Sequence, residues 1–357
     1  MKRIVFTVLA IALLFTALVG CERVPCSLPD ECTESKSESN SASASVSDEP
    51  SDPGSSVSDF EYAENEGGGI TIAKYIGTDK HVVIPAKITG KDVTVIGELA
   101  FGDSEIISVK IPDSVTLLEK VAFGYCLSLT EIQLSQNLKS IGDGCFIACI
   151  VLPSVKLPQS LEKIGDHAFE HCLKLSDVKL PSNLKYLGMK AFYETVLKQI
   201  NIPKSIETWG SQSFASTPIE TIELEQGLKI IGEAAFMETQ IKEIDIPGSV
   251  KEISDSAFSS CPKLQSVILH EGLSVIDQFA FSWDPELSEI VIPKTVNNIK
   301  KYAFHCNTLK KIKFDGDAPE YFLDDESAEK SHYIIYYHES ASGFTHPTWN
   351  GYHTEIW

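Results

Sequence analysis

From Val93 onward the apolar positions fall into an order that returns every 22 or 23 residues. Its clearest mark is a phenylalanine, usually preceded by alanine: Phe101, Phe123, Phe146, Phe169, Phe192, Phe214, Phe236, Phe258, Phe281 and Phe304. Five residues before each stands a large apolar group, as in Ile96, Leu118, Ile141, Ile164, Leu187, Trp209 and Ile231. Three before that stands another, as in Val93, Val115, Leu138 and Leu161. After each Phe comes an alternating pair, such as Val109/Ile111, Ile200/Ile202, Ile244/Ile246 and Ile290/Ile292, often closed by proline. Alternation over so short a run predicts a strand, and proline marks where its pairing stops. The six residues around Ala-Phe predict a single helical or 3₁₀ turn. Each coil is thus a strand, a turn, a second short extended piece and a helical turn. One coil cannot bury its inward side chains alone, whereas stacked coils can. The pattern predicts an α/β repeat solenoid of about ten coils, with short parallel strands ~4.8 Å apart.

Two further registers follow. The position three after each Phe holds Ser104, Cys126, Cys149, Cys172, Thr195, Thr217, Thr239, Cys261, Asp284 and Asn307. A column of short polar or thiol side chains suits the inside of a turn, where backbone groups need partners; we read it as a structural ladder. The difference between 22 and 23 residues lies in the loop just after it. On the strand, the outward residue between two inward ones runs Lys110, Gln133, Lys156, Lys179, Asn201, Glu223, Asp245, Ile268, Val291 and Lys313. This face changes from basic through acidic to apolar, which suits a macromolecule better than a small-molecule pocket. Lys110 to Asp245 form the candidate partner-binding face. Tyr125, Tyr193 and Trp283, near the turns, form a competing aromatic edge.

The first residues read differently. Lys2 and Arg3 precede an apolar run from Ile4 to Val19, too short to span a bilayer as a helix and typical of an export signal. Leu18-Val19-Gly20-Cys21 resembles the lipobox of bacterial lipoproteins. The resemblance implies removal of residues 1–20 and diacylation of the Cys21 thiol, which would tie the chain to a membrane through more than one acyl chain. Residues 21–66 are rich in Ser, Glu and Asp. Between Glu22 and Glu66 there are 12 acids and 2 bases, so the composition predicts a disordered, self-repelling tether. Cys26 and Cys32 lie in it and could pair in an oxidising compartment.

Composition narrows the classes. The 357 residues carry a formal net charge of −20, which argues against non-specific nucleic-acid binding. Nine scattered cysteines are too few for a disulfide scaffold.

Ile164-Gly165-Asp166-His167-Ala168-Phe169-Glu170-His171-Cys172 and Glu289-Ile290-Val291-Ile292-Pro293 look like the BspA-like, or Treponema-type, leucine-rich repeat. The opening coil, Tyr75-Ile76-Gly77-Thr78 and Gly90-Lys91-Asp92-Val93, is similar as well. The resemblance spans 67–315. It implies a right-handed leucine-rich repeat superhelix in a bacterial cell-surface protein that binds other macromolecules. Glu119, Ser254, Asp277 and Lys300 replace the usual glycine after the isoleucine, so a left-handed backbone is not obligatory there; Cys145 and Ser213 replace the alanine. From Gly316 the repeat breaks into an aromatic-rich segment, 316–357, that predicts a terminal cap. A ligand-binding aromatic patch is the alternative.

Candidate chemistry is sparse. His167-x-x-Glu170-His171 matches an inverted zinc-protease pattern, but falls on the turn of one repeat among ten rather than on a continuous helix. Asp315, Asp317, Asp324, Asp325 and Glu326 form either a calcium loop or a solvated acidic one. Cys126, Cys149 and Cys172 stack in adjacent coils, as buried thiols or within disulfide reach. The expectation is a lipid-anchored, outward-facing surface protein that binds an extracellular protein, with no catalysis, cofactor, metal or nucleic-acid partner. The alternative is a carbohydrate- or cell-wall-binding module that uses exposed aromatics.

Overall fold

The structure is a computed structural model, and it describes residues 55–306, 308–322 and 333–357. Among them the chain folds as a β-solenoid with two strand ladders per coil. The first ladder carries the position five before each Phe. Ile96, Leu118, Ile141, Ile164, Leu187 and Trp209 stand in parallel register, coil on coil. After an interruption Ile231, Ile253, Ile276, Ile299 and Phe322 continue it. The second ladder carries the alternating strands after each Phe, from His81–Val83 and Ser108–Lys110 to Lys311–Phe314 and Ile334–Tyr337.

Between the ladders run the ten phenylalanines, all buried. Successive rings lie 4.9 to 6.1 Å apart with interplanar angles of 2° to 16°, the offset-stacked arrangement that aromatic quadrupoles favour. Tyr75 stacks on Phe101 at 5.3 Å and Phe60 meets it edge-on, closing the N-terminal end.

The helical turn expected around Ala-Phe is absent, and the α/β class is corrected to an all-β solenoid. The one helical element among the described residues is the 3₁₀ turn Val57–Asp59. Coil two gives the reason. The Ala122, Gly124 and Cys126 N–H groups bond back three residues, to the Glu119, Val121 and Phe123 carbonyls. The alternate N–H groups of Val121, Phe123 and Tyr125 instead reach the Asp143, Cys145 and Ile147 carbonyls of the next coil, at 2.8 to 2.9 Å. An α-helix would commit every N–H within its own segment and leave none for the neighbour. Overlapping β-turns result, with left-handed backbone two residues before and two after Phe: Val121 at φ 54°, Tyr125 at 62°. Such turns take a positive φ at their third position. Non-glycine residues hold it here, at a cost on the order of 1 kcal/mol each, against the bonds between coils.

The glycines after the large apolar residues of the first ladder do a different job. None of Gly142, Gly165, Gly188 and Gly210 has positive φ. A Cβ on Gly188 would lie 2.3 Å from the Gly165 carbonyl carbon, and one on Gly210 2.2 Å from the Met189 nitrogen. They let consecutive coils close up, so the absence of an obligatory left-handed backbone there agrees with the substitutions seen in other coils.

Both ends reach beyond the limits drawn from composition. Phe60–Glu64, inside the stretch read as tether, is a strand antiparallel to Ile70–Tyr75. Only Phe60 of its residues is buried, so it leaves little hydrophobic signal. At the other end Tyr321–Phe322 pairs with Asn298–Ile299, which carries the solenoid past residue 315. The aromatics of 316–357 then close the core. Trp349 packs on Phe314 and Phe322, Tyr333 stacks on Tyr352 at 4.9 Å, and Tyr337 on Phe344 at 4.8 Å. Trp349, Tyr352, Tyr333 and Tyr337 are buried, which leaves these rings no open face for a ligand.

Candidate functional site

The second ladder places the candidate face where strand alternation requires. Lys110, Gln133, Lys156, Lys179, Asn201, Glu223 and Asp245 are all exposed, while Val109, Val155, Val178, Ile200 and Ile244 beside them are buried. Lys110 stands opposite Gln133, Asn201 opposite Glu223, and Asp245 opposite Ile268. The row divides electrostatically. Among the described residues no ion pair engages Lys110, Lys156 or Lys179. Further along, the polar groups satisfy one another. Asn201 donates to Glu223 at 3.2 Å, and Asp245 meets His270 at 2.7 Å. Lys313 pairs with Glu289 at 2.5 Å and lies over the Trp357 ring. The lysines of the basic end therefore keep their charges outside the ion pairs and hydrogen bonds that tie together the groups further along the row.

The three aromatics of the turn edge do not meet. Tyr125 and Trp283 share one position, two after Phe, but lie seven coils apart, and Tyr193 occupies the position before it in coil five. Tyr193 faces His171 edge-on and carries the Lys190 ammonium 4.7 Å over its ring. Trp283 has different company: it stacks on Phe279 and meets His305 edge-on, and Phe279 in turn stacks on Tyr302. The sequence signal was available, since Phe279 and Tyr302 both stand two residues before a core Phe.

The column three after Phe has a consistent chemistry. Thr195, Thr217 and Thr239 donate to the carbonyl of their own Phe at 2.7 to 3.0 Å. Cys126, Cys149, Cys172 and Cys261 point their Sγ at the Phe carbonyl of the preceding coil, 3.1 to 3.3 Å away. Side-chain type follows coil length. Where the extra residue is present, a local turn forms, as from Leu129 N–H to Cys126 O, and the column holds Cys or Asp. Where it is missing, the next N–H goes straight to the coil before, as from Val196 to Leu175 O, and the column holds Ser or Thr. In coil ten the bond to the Phe281 carbonyl comes from Cys306, one residue earlier than expected; Asn307 lies outside the described residues, as do Cys21, Cys26, Cys32, Asp324, Asp325 and Glu326. The six described cysteines are buried, and Cys126, Cys145, Cys149, Cys172 and Cys261 are free thiols. Burial raises the thiol of Cys172 to about 12 and pushes that of Cys261 well up as well, so both are protonated donors.

Asp284 is the exception in that column. Its side chain is fully buried; Oδ1 accepts the Cys261 N–H at 2.7 Å, and Oδ2 has no partner. Loss of hydration raises its pKa to about 8. One coil-specific pair was also missed. Trp209 and Ser213 are two departures in the same coil, and the indole Nε1–H donates to the Ser213 Oγ at 2.6 Å.

The inverted zinc-protease pattern lies on β-turns. His167 Nδ1 sits 2.7 Å from Glu170 and His171 Nδ1 3.0 Å from Glu194, so both histidines are spent on carboxylates. The Glu194 hydrogen bond raises His171 and, in return, lowers Glu194. Among the described residues no group of three or more His, Cys, Asp or Glu is arranged to hold a metal.

The profile of the BspA type leucine rich repeat region, in 6 copies, matches residues 94–218 and 207–320. The chain resembles the crystal structure of a leucine-rich repeat protein from Bacteroides ovatus. Identity is 23%, over 78% of this chain and 70% of that one, with a TM-score of 0.61. The pneumococcal vaccine antigen PcpA is 21% identical over 79% and 92% of the two chains, with a TM-score of 0.47. No curated protein matches in sequence.

Proposed function

This chain belongs to the BspA type leucine-rich repeat family, and from that premise we propose that it is a lipid-anchored adhesin or interaction module of a bacterial cell surface. Its solenoid works as a binding scaffold without catalysis. Cys21 carries the acyl chains, and the acidic segment before residue 55 holds the solenoid off the membrane. The strand face takes an extracellular protein partner.

One observation carries the reading: Lys110, Lys156 and Lys179 project from one exposed row with no ion pair among the described residues, on a chain whose formal charge is −20. Cations left unpaired on an acidic protein favour a partner with an acidic patch, and speed its encounter. Lys156 and Lys179 lie in adjacent coils, ~5 Å apart along the axis, and Lys110 lies two coils before Lys156, ~10 Å away.

The test is reversal of all three lysines to glutamate, with proximity labelling at the cell surface. Capture of the labelled partner should fall about tenfold or more, since each close charge pair is worth ~1 kcal/mol or more. Reversal of Lys163, on a first-ladder strand, and of Lys185, just before the next one, should leave it unchanged. Equal capture by both variants would remove the strand face from the proposal. The anchor has its own test. Cells fed a palmitate analogue should label the natural chain and not Cys21→Ala, and label on both would move the anchor elsewhere.

A further inference from the structure

Coils nine and ten place four rings together on the turn edge, away from the strand face. Phe279 and Trp283 lie 5.5 Å apart at an interplanar angle of 8°, and Phe279 and Tyr302 5.3 Å apart at 21°. His305 stands edge-on to Trp283 at 6.0 Å and to Tyr302 at 5.7 Å. The Lys301 ammonium lies 5.0 Å over the Tyr302 ring. Trp283 is 56% exposed.

The fold does not require these rings. The equivalent positions of coils seven and eight hold Ala234, Glu238, Ser256 and Ser260, and the core phenylalanines stack through those coils without a break. The three largest rings also sit on left-handed backbone: Phe279 at φ 53°, Trp283 at 57° and Tyr302 at 61°. Ala234, Glu238, Ser256 and Ser260 hold the same left-handed backbone in coils seven and eight, so what distinguishes coils nine and ten is the choice of bulky aromatic side chains, which that backbone disfavours.

The border of the strip is polar. The Ser256 N–H bonds to the Gln278 carbonyl and the Ser260 N–H to the Ser282 carbonyl, which sets both serines one coil before Phe279 and Trp283, in the same two columns. The Ser256 hydroxyl donates to Asp255 at 2.6 Å. Hydroxyls and a carboxylate thus adjoin one side of a row of rings, while Lys301 lies on the row itself.

We propose that this strip is a carbohydrate site for a hexopyranose unit with equatorial hydroxyls, as in β-linked glucan or chitin-type chains. The flat C–H face of the sugar lies against Trp283, the largely exposed ring at the end of the Phe279 stack, where the negative face of the ring attracts polarised C–H bonds. The sugar hydroxyls turn toward Asp255, Ser256 and Ser260. A protein partner fits less well. A stable interface takes ~800 Å² from each side around an apolar centre, and here the apolar surface ends where coil eight begins. Charges of both signs beside the rings favour a neutral ligand over an ionic one.

The test is titration of the full chain with chitotriose and cellotriose, read by tryptophan fluorescence and calorimetry, with an α-mannotriose control. The variants are Trp283→Ser and Tyr302→Ser. Serine already occupies both positions in coil eight, so both variants should fold with an unchanged melting temperature. The natural chain should bind at least one of the β-linked trisaccharides in preference to the mannotriose, and Trp283→Ser should weaken binding by about tenfold. Lys110, Lys156 and Lys179 reversed to Glu should bind sugar as the natural chain does, which separates this site from the strand face. No binding of either trisaccharide overturns the proposal, and so does unchanged binding by Trp283→Ser.

Discussion

Asp284 makes stability depend on pH in a direction opposite to that of most carboxylates. Its carboxyl is fully buried, one oxygen accepts the Cys261 N–H and the other has no partner. Its pKa in the folded chain is about 8, against 3.8 for an unburied aspartate. Between those values the native state holds a proton that the unfolded state has released. Stability therefore falls as pH rises, by ~1.4 kcal/mol per pH unit. The contribution is fully present below pH ~4 and lost by about pH 8. Integrated to pH 7, the loss is about 4 kcal/mol. Cys261 does not blur the window, because burial pushes its thiol further up and it stays neutral throughout. Asp284→Asn removes the ionisation while keeping an oxygen for the Cys261 N–H. Urea unfolding followed by tryptophan fluorescence, at half-unit steps from pH 4 to pH 8, should give curves for the two proteins that start within ~1 kcal/mol. They should then separate by several kcal/mol as the natural chain weakens. Because stability in a repeat array is shared between neighbours, the loss should appear first as a separate transition of the C-terminal coils. Parallel pH profiles would refute the reasoning, since an aspartate that ionises at its ordinary pKa yields no such divergence.

Two other predictions concern local partnerships. Ser213→Ala should cost ~1 kcal/mol by stranding the Trp209 indole N–H, whereas Trp209→Ile with Ser213→Ala rebuilds the pattern of the neighbouring coils. A double-mutant cycle by chemical denaturation should show the pair coupled, and additive losses would mean the 2.6 Å contact is idle. Glu194→Gln should bring the raised His171 pKa down toward 6.5, as read by NMR titration. The stability this pair supplies lies between the lowered pKa of Glu194 and the raised pKa of His171; it fades as pH falls through the first and as pH rises through the second. Both side chains are about a third exposed or more, so the effect on unfolding should stay below ~1 kcal/mol. An unmoved His171 titration would place its shift elsewhere.

The residue pattern revealed the repeat, the line of ten phenylalanines, the column of thiols and hydroxyls and the exposed row from Lys110 to Asp245. Each of these is a demand made separately by every coil. A coil meets the same neighbours as the next, so the same side-chain type is selected at the same place and the demand is written ten times over. The turn around Ala-Phe was misread as helical because half its N–H groups bond to carbonyls 22 or so residues away, and no single segment contains both partners. The strand Phe60–Glu64 escaped notice because it buries one side chain. The union of Phe279, Trp283, Tyr302 and His305, the bond from Trp209 to Ser213 and the buried carboxyl of Asp284 occur once each. Features used once leave no period to read. They come from how one coil sits on its neighbours, where distance in space replaces distance along the chain.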